Sequence, residues 1–217
     1  MRRKLRFFLK LLFLKKVRRD SAHIIKEYNK AWADKITGNS DHGISKVVEA
    51  LSDEIARYGI KSVLELGCGN GRVLVPLAKK NLNVKFGGVD ISEEGIRQVK
   101  AMLPDAQFYH QDIRDMANLT AHQWDLVFTH VAIEQLPRDY MQVYQQAYRL
   151  SSHYAIFVEE YKELQSWLNR FYLYKYGYHC QSFKEVEKVG FKILKFYEFL
   201  ARRKMKYKLG FLLCEKK

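Results

Sequence analysis

Residues 63–72 read VLELGCGNGR, a β-rich run that ends in Glu65 and Leu66 and breaks into three alternate glycines, Gly67, Gly69 and Gly71. Alternate glycines let a backbone bend sharply and let a ligand come closer than any Cβ would permit. The spacing is GxGxG. Dinucleotide sites usually show GxGxxG, whose extra residue sets a pyrophosphate on a helix N-terminus, so this spacing weakens a nicotinamide reading. A second β-rich run closes at Val89-Asp90-Ile91, about 20 residues past the glycines, where an acid is placed to accept from both hydroxyls of a ribose. A third acid, Asp112 in HQDIRD, follows the next run, placed to accept from an adenine amino group with Ile91 and Ile113 on either side of the ring. These features point to an adenosine ligand and leave the reaction open.

Such residues must be brought together by strands that end on one edge. Apolar runs alternate with helical patterns: SVLEL then 73–80, VKFGGVD then 93–103, AQFYH then a short helix, DLVFT then 140–150, with a fifth strand at 154–158. That alternation predicts a parallel α/β sheet. Upstream, Val47, Val48, Leu51 and Ile55 predict a helix over 44–58, and Ile24, Ile25, Tyr28, Ala31 and Trp32 another over 21–36, with a polar break at 37–43. The chain finishes with FKILKFYEFL and KYKLGFLLC around the basic turn ARRKM, which predicts a β-hairpin.

The 217 residues allow one domain with extensions, and 47% hydrophobic content excludes collagen-like or largely disordered classes. Three scattered cysteines, Cys68, Cys180 and Cys214, form neither a disulfide framework nor a zinc spacing, which fits a reducing cytosol. The formal charge of +14 is uneven. Residues 1–20 hold nine Lys or Arg against one acid and residues 184–217 eleven against four, so the central body is near neutral and no basic active site is implied. The first segment, MRRKLRFFLKLLFLKKVRR, has a wide apolar face at helical spacing, but its apolar runs are far too short for the roughly 20 residues of a membrane span, and no signal-peptide cleavage site follows. It reads as an interfacial helix on anionic lipid, a helix packed on the body or a partner, or a nucleic-acid contact. The domain plan is a basic arm over 1–20 and a catalytic domain over 21–217 with an aromatic-rich insertion at about 160–183.

Four ordered signals, VLELGCGNGR, GVDIS, the acid of QDIRD and WDLVFTHVAIEQLP, resemble the class I S-adenosylmethionine-dependent methyltransferases over about residues 46–158. The resemblance implies a Rossmann-like α/β fold: a mostly parallel seven-stranded sheet with a C-terminal antiparallel hairpin and helices on both faces. It implies S-adenosyl-L-methionine as cofactor, with Glu65, Gly67, Cys68, Gly69 and Gly71 at its methionine part, Asp90 and Ile91 at the ribose, and Asp112 and Ile113 at the adenine. Thr129 and His130, at the end of strand four, are expected near the cofactor's amino end and the start of the acceptor pocket. Many relatives have His where this chain has Gln135, which removes one candidate base.

Methyl transfer from a sulfonium needs positioning more than a catalytic dyad, although an oxygen acceptor needs a base. His130, Glu159, Glu160 and His179 are the candidates; His130 reads alternatively as a packing or cofactor-lining residue, and the two acids as solvated surface. Between Tyr154 and Phe183, ten of thirty residues are aromatic, enough either for stacking on an acceptor or for the core of a lid. The Asn/Asp-Pro-Pro-aromatic run of enzymes acting on DNA amines is replaced by THVA, and no metal is expected. The favoured function is methylation of a small or lipid-linked acceptor, with a surface glycan or glycolipid precursor preferred, by a cytoplasmic protein that the arm holds at the inner face of an anionic membrane. The alternatives are an RNA methyltransferase using the basic ends for phosphate contacts and a non-catalytic protein retaining the fold.

Overall fold

The computed structural model describes residues 25–27, 29–30, 43–136, 138–202 and 207–217. The arm of residues 1–20, most of the helix expected over 21–36 and the basic turn at 203–206 lie outside the described residues. The elements from residue 44 onward are α1 (Ile44–Tyr58), β1 (Ser62–Leu66), α2 (Leu74–Lys80), β2 (Lys85–Asp90), α3 (Glu93–Met102), β3 (Gln107–His110), β4 (Trp124–His130), α4 (Tyr140–Leu150), β5 (Ser151–Glu159), α5 (Trp167–Lys175), β6 (Phe191–Arg202) and β7 (Tyr207–Lys216). Two short 3-10 turns, Ile133–Gln135 and Phe183–Val189, complete them.

Seven strands form one sheet in the order β3-β2-β1-β4-β5-β7-β6. The first five are parallel, and β7 runs antiparallel between β5 and β6. The two strands of the hairpin differ in burial for a reason visible in their sequences. LGFLLC in β7 is a continuous apolar run whose residues from Leu209 to Cys214 are buried, as a strand covered on both faces requires. In contrast, β6 carries Lys192, Lys195 and Glu198, which suit a strand with an open edge.

Alternation along the strands supplies two apolar faces. Val63, Leu126, Phe128, Ile156 and Val158 point to the side covered by α1, α2 and α3. Leu64, Leu66, Val127, Ala155 and Phe157 point to the side covered by α4. Fully burying each Val, Leu, Ile or Phe among them contributes about 1.5–3 kcal/mol, so the sheet is a firm platform for whatever its edge carries.

One expected element is replaced. The segment between β3 and β4 is a series of turns, not a short helix. Arg149 reaches from α4 and donates to the carbonyls of Met116 and Leu119 at 2.6 and 2.7 Å, while both of those side chains are buried. The guanidinium thus pins these turns from α4, the Met116 carbonyl accepting from Leu119 N–H as well at 2.9 Å.

Candidate functional site

The carboxyl ends of β1, β2 and β4 bring the glycine turn, Asp90 and the residues after His130 to one edge. The Gly67 and Cys68 N–H groups both donate to the Val89 carbonyl, at 2.8 and 3.0 Å, which locks the turn onto β2. Gly67, Gly69 and Gly71 have φ of 80°, 51° and 82°. Asp90 ties this turn to the next one: Gly69 N–H donates to Oδ2 at 2.7 Å and Ser92 N–H to Oδ1 at 2.8 Å. Burial raises the Asp90 carboxyl above its ordinary range, opposed by these N–H groups and by the charge of His110. Ser92 then caps α3 by accepting from Gly95 N–H, and its hydroxyl donates to Asn29 Oδ1 at 2.5 Å.

Glu65 is 2% exposed, and among the described residues its Oε2 has no hydrogen-bond partner. Burial first, and then the negative charge of Asp90, push its carboxyl well above the ordinary range, against the backbone N–H of Leu74 at the start of α2. An orphaned carboxylate oxygen beside a glycine turn is what an ammonium group would satisfy. The Cys68 side chain points the other way. A Cβ on Gly88 would come within 2.7 Å of its sulfur, so the thiol fills space over β2 and only the Cys68 backbone faces the turn. Burial, then Asp90 and Glu65, push that thiol well up.

Asp112 has a partner that sequence reasoning missed. Its Oδ1 accepts from the Arg114 N–H and Nε at 2.9 Å each, and Oδ2 accepts from Nη2 at 2.5 Å. Arg114 also reaches Asp139 at 2.8 Å. Burial raises the Asp112 carboxyl, but the Arg114 hydrogen bonds and charge outweigh it and hold the group below the usual range. The signal lay in the motif itself, since an arginine two residues after an acid can close on it. Ile113 is buried beside this pair and Ile91 is half-buried.

At the end of β4, Thr129 is fully buried and His130 half-buried. The two acids at the end of β5 are not solvated: Glu159, its last residue, is 0% and Glu160 1% exposed. Glu159 accepts from the backbone N–H groups of Ala132 and Ile133, so both its oxygens face the turn after β4. Glu160 lies with Glu134 and Glu163 around Cys180, whose thiol is raised by burial first and then by these charges. His179 stacks on Tyr140 with centroids 4.4 Å apart, and its N–H donates to the Glu134 carbonyl at 2.6 Å. Burial lowers its pKa, Glu185 opposing and Lys162 assisting.

The aromatic segment divides between two roles. Tyr161 is buried against Phe196, and Phe183 stacks on the same ring at 3.9 Å, so these belong to the core. Trp167 and Tyr174 on α5 are 62% and 52% exposed. Among the described residues no group of His, Cys, Asp or Glu is placed to hold a metal ion, and no helix is long and apolar enough to cross a membrane.

Residues 63–153 match the family described as a methyltransferase domain. Over 93 residues the chain is 35% identical to trans-aconitate 2-methyltransferase of Escherichia coli, a match that covers 43% of this chain and 36% of that protein. Over 62 residues it is 45% identical to the tRNA N(3)-methylcytidine methyltransferase trm140 of Schizosaccharomyces pombe, covering 27% and 20% of the two chains. The chain therefore spans little more than a third of the length of the first of these curated relatives and less of the second. Among solved structures, magnesium protoporphyrin IX methyltransferase of Synechocystis with bound S-adenosylhomocysteine superposes with a TM-score of 0.72 at 16% identity, covering 91% of this chain and all of that one. That likeness is one of fold.

Proposed function

We propose that this class I S-adenosylmethionine-dependent methyltransferase, identified as such by the match over residues 63–153 and by its sheet order, methylates a small-molecule acceptor. The observation that carries the reading is the coupled turn: a glycine loop closed by Asp90 through Gly69 and Ser92, beside a buried Glu65 with an orphaned oxygen. When bound, S-adenosylmethionine supplies a methyl group already activated by its sulfonium. Glu65 would accept from its ammonium group, Asp90 from the ribose hydroxyls with the lone pairs its two backbone partners leave, and Asp112 would meet the adenine edge once Arg114 shifts toward Asp139. Ile91 and Ile113 would flank the ring. The aromatic insertion of about 160–183 would close over the acceptor and exclude water. His130, Glu160 and His179 remain the candidate bases, with burial favouring the neutral form of His179.

Titration calorimetry tests this. S-adenosylmethionine and S-adenosylhomocysteine should bind at micromolar levels or tighter and NAD should give no measurable heat. Tighter NAD binding would sink the reading.

The finer reading is a lipid-linked acceptor, a surface glycan or glycolipid precursor, approached at an anionic membrane. It is supported by the charge of residues 1–20 and their apolar spacing. Deleting that arm should leave the melting temperature and cofactor affinity nearly unchanged. It should abolish binding to anionic vesicles, since each basic residue at such a surface contributes about 1 kcal/mol. Vesicle binding that survives would assign the contact to residues 184–217, and unfolding would make the arm a cap on the body. The basic ends and the tRNA-acting relative favour RNA as a second acceptor class. Side-by-side salt titrations decide, with a steep fall on RNA but weak binding to vesicles favouring it.

A further inference from the structure

The chain turns sharply after β4 at a residue badly suited to the turn. Val131 has a φ of 55°, a left-handed conformation that a β-branched residue keeps only when its surroundings impose it. The imposing contacts come from β5. Val131 N–H donates to the Val158 carbonyl at 3.0 Å, and the next two N–H groups, of Ala132 and Ile133, donate to Glu159 at Oε1 (3.1 Å) and Oε2 (3.3 Å). On its other side the turn meets the glycine loop, where a Cβ on Gly67 would lie 2.7 Å from the Ala132 Cβ.

We propose that Glu159 is a positioning residue for the cofactor loop: its buried carboxylate holds the strained Val131–Ile133 turn against Gly67 and so shapes the methionine end of the site. This rests on the methyltransferase reading above. It also removes Glu159 from the candidate bases, because both oxygens are buried and engaged by backbone N–H groups.

Two N–H donors on separate oxygens favour the anion. Protonation leaves one oxygen a weaker acceptor that also carries a hydrogen, and an amide in its place turns a donor toward a backbone N–H. Burial pushes Glu159 up to about 7, with Glu160 assisting and Thr129 and the two N–H groups opposing. Tyr144 from α4 and Tyr161 after β5 also face it, with Cys214 of β7 beside them, and burial raises all three so that they stay neutral. The carboxylate is therefore charged and the turn held above pH 7, and the hold is lost as pH falls through about 7.

Calorimetry with S-adenosylhomocysteine from pH 5.5 to 8.5 tests this on the full chain. Wild-type affinity should fall roughly tenfold between pH 8 and pH 6, the ratio of ionised fractions for a group titrating at 7. Glu159→Gln should be at least about tenfold weaker at pH 8 and should lack the step centred near pH 7, and adding Val131→Gly, which accepts φ > 0 without strain, should restore most of the affinity. The rescue and the lost pH step separate this role from general packing and from titration of Asp90. Glu159→Gln with wild-type affinity and pH profile overturns the proposal. So does normal binding with a kcat loss that tracks the acid limb, the behaviour of a base. If Glu159→Gln does not fold, Val131→Gly alone decides: its affinity should no longer fall toward pH 6, and a retained tenfold fall overturns the idea. A wild-type protein that binds no S-adenosylhomocysteine at any pH removes the methyltransferase reading, and this proposal with it.

Discussion

Replacing Asp90 by Ala should weaken S-adenosylhomocysteine binding by about 1.5–3 kcal/mol, roughly ten- to hundredfold in Kd, in a protein that still folds. Two losses combine. On the proposed assignment the ribose hydroxyls would lose their acceptor in a partly desolvated site, and the Gly69 and Ser92 N–H groups lose the oxygens that tie the glycine turn to the start of α3. Calorimetry gives the affinity and circular dichroism the fold. Asp90→Asn should fall between wild type and Ala, because one of its two positions becomes a donor facing a backbone N–H. An Asp90→Ala protein that binds with unchanged affinity would remove the ribose assignment.

A larger loss should follow Gly67→Val, which should take S-adenosylhomocysteine binding below detection. The backbone there has a φ of 80°, and a Cβ would lie 2.7 Å from that of Ala132. A valine must therefore push the turn after β4 away from the glycine loop while also taking on the strain of a left-handed conformation. Gly59 is the natural control. It has a φ of 62°, but a Cβ there meets nothing within 4 Å, so Gly59→Ala carries the conformational cost alone. That substitution should destabilise the fold by about 1–2 kcal/mol and leave cofactor affinity untouched. If Gly67→Val binds as well as Gly59→Ala does, contact with Ala132 is not what makes the position sensitive.

Both substitutions probe an edge built from local chemistry, which is why its outline is legible in the sequence. The strand endings at Leu66 and Asp90, the alternate glycines and the order of elements are properties of short segments, each within a few residues of its neighbours in sequence. The antiparallel hairpin is legible for the same reason. Its insertion with β7 beside β5 requires only that the more apolar of its two strands take the covered position.

Contacts between distant residues are not legible in that way. The arginine that closes on Asp112 also binds Asp139, 25 residues beyond Arg114. No spacing rule links an acid after β3 to one at the start of α4. The turns after β3 that stand in place of the expected helix are held by Arg149, more than thirty residues away in sequence from the Met116 carbonyl it binds. Glu159 and Glu160 read alternatively as solvated because charged residues after a strand usually are; the chain beyond β5 folds back over them, with Lys162 N–H donating to the Gln181 carbonyl at 2.9 Å.

By itself, then, the sequence determined the sheet, the glycine turn and the edge proposed to take the cofactor, because hydrophobic period, turn residues and strand-end acids act locally. Only the tertiary structure decided what these carboxylates do: Glu65 left with an orphaned oxygen, Asp112 sharing its arginine with Asp139, Glu159 committed to a strained turn. The physical reason is that a charge in a low-dielectric interior takes its role from whichever donors surround it, and those donors arrive from elements far apart in the chain.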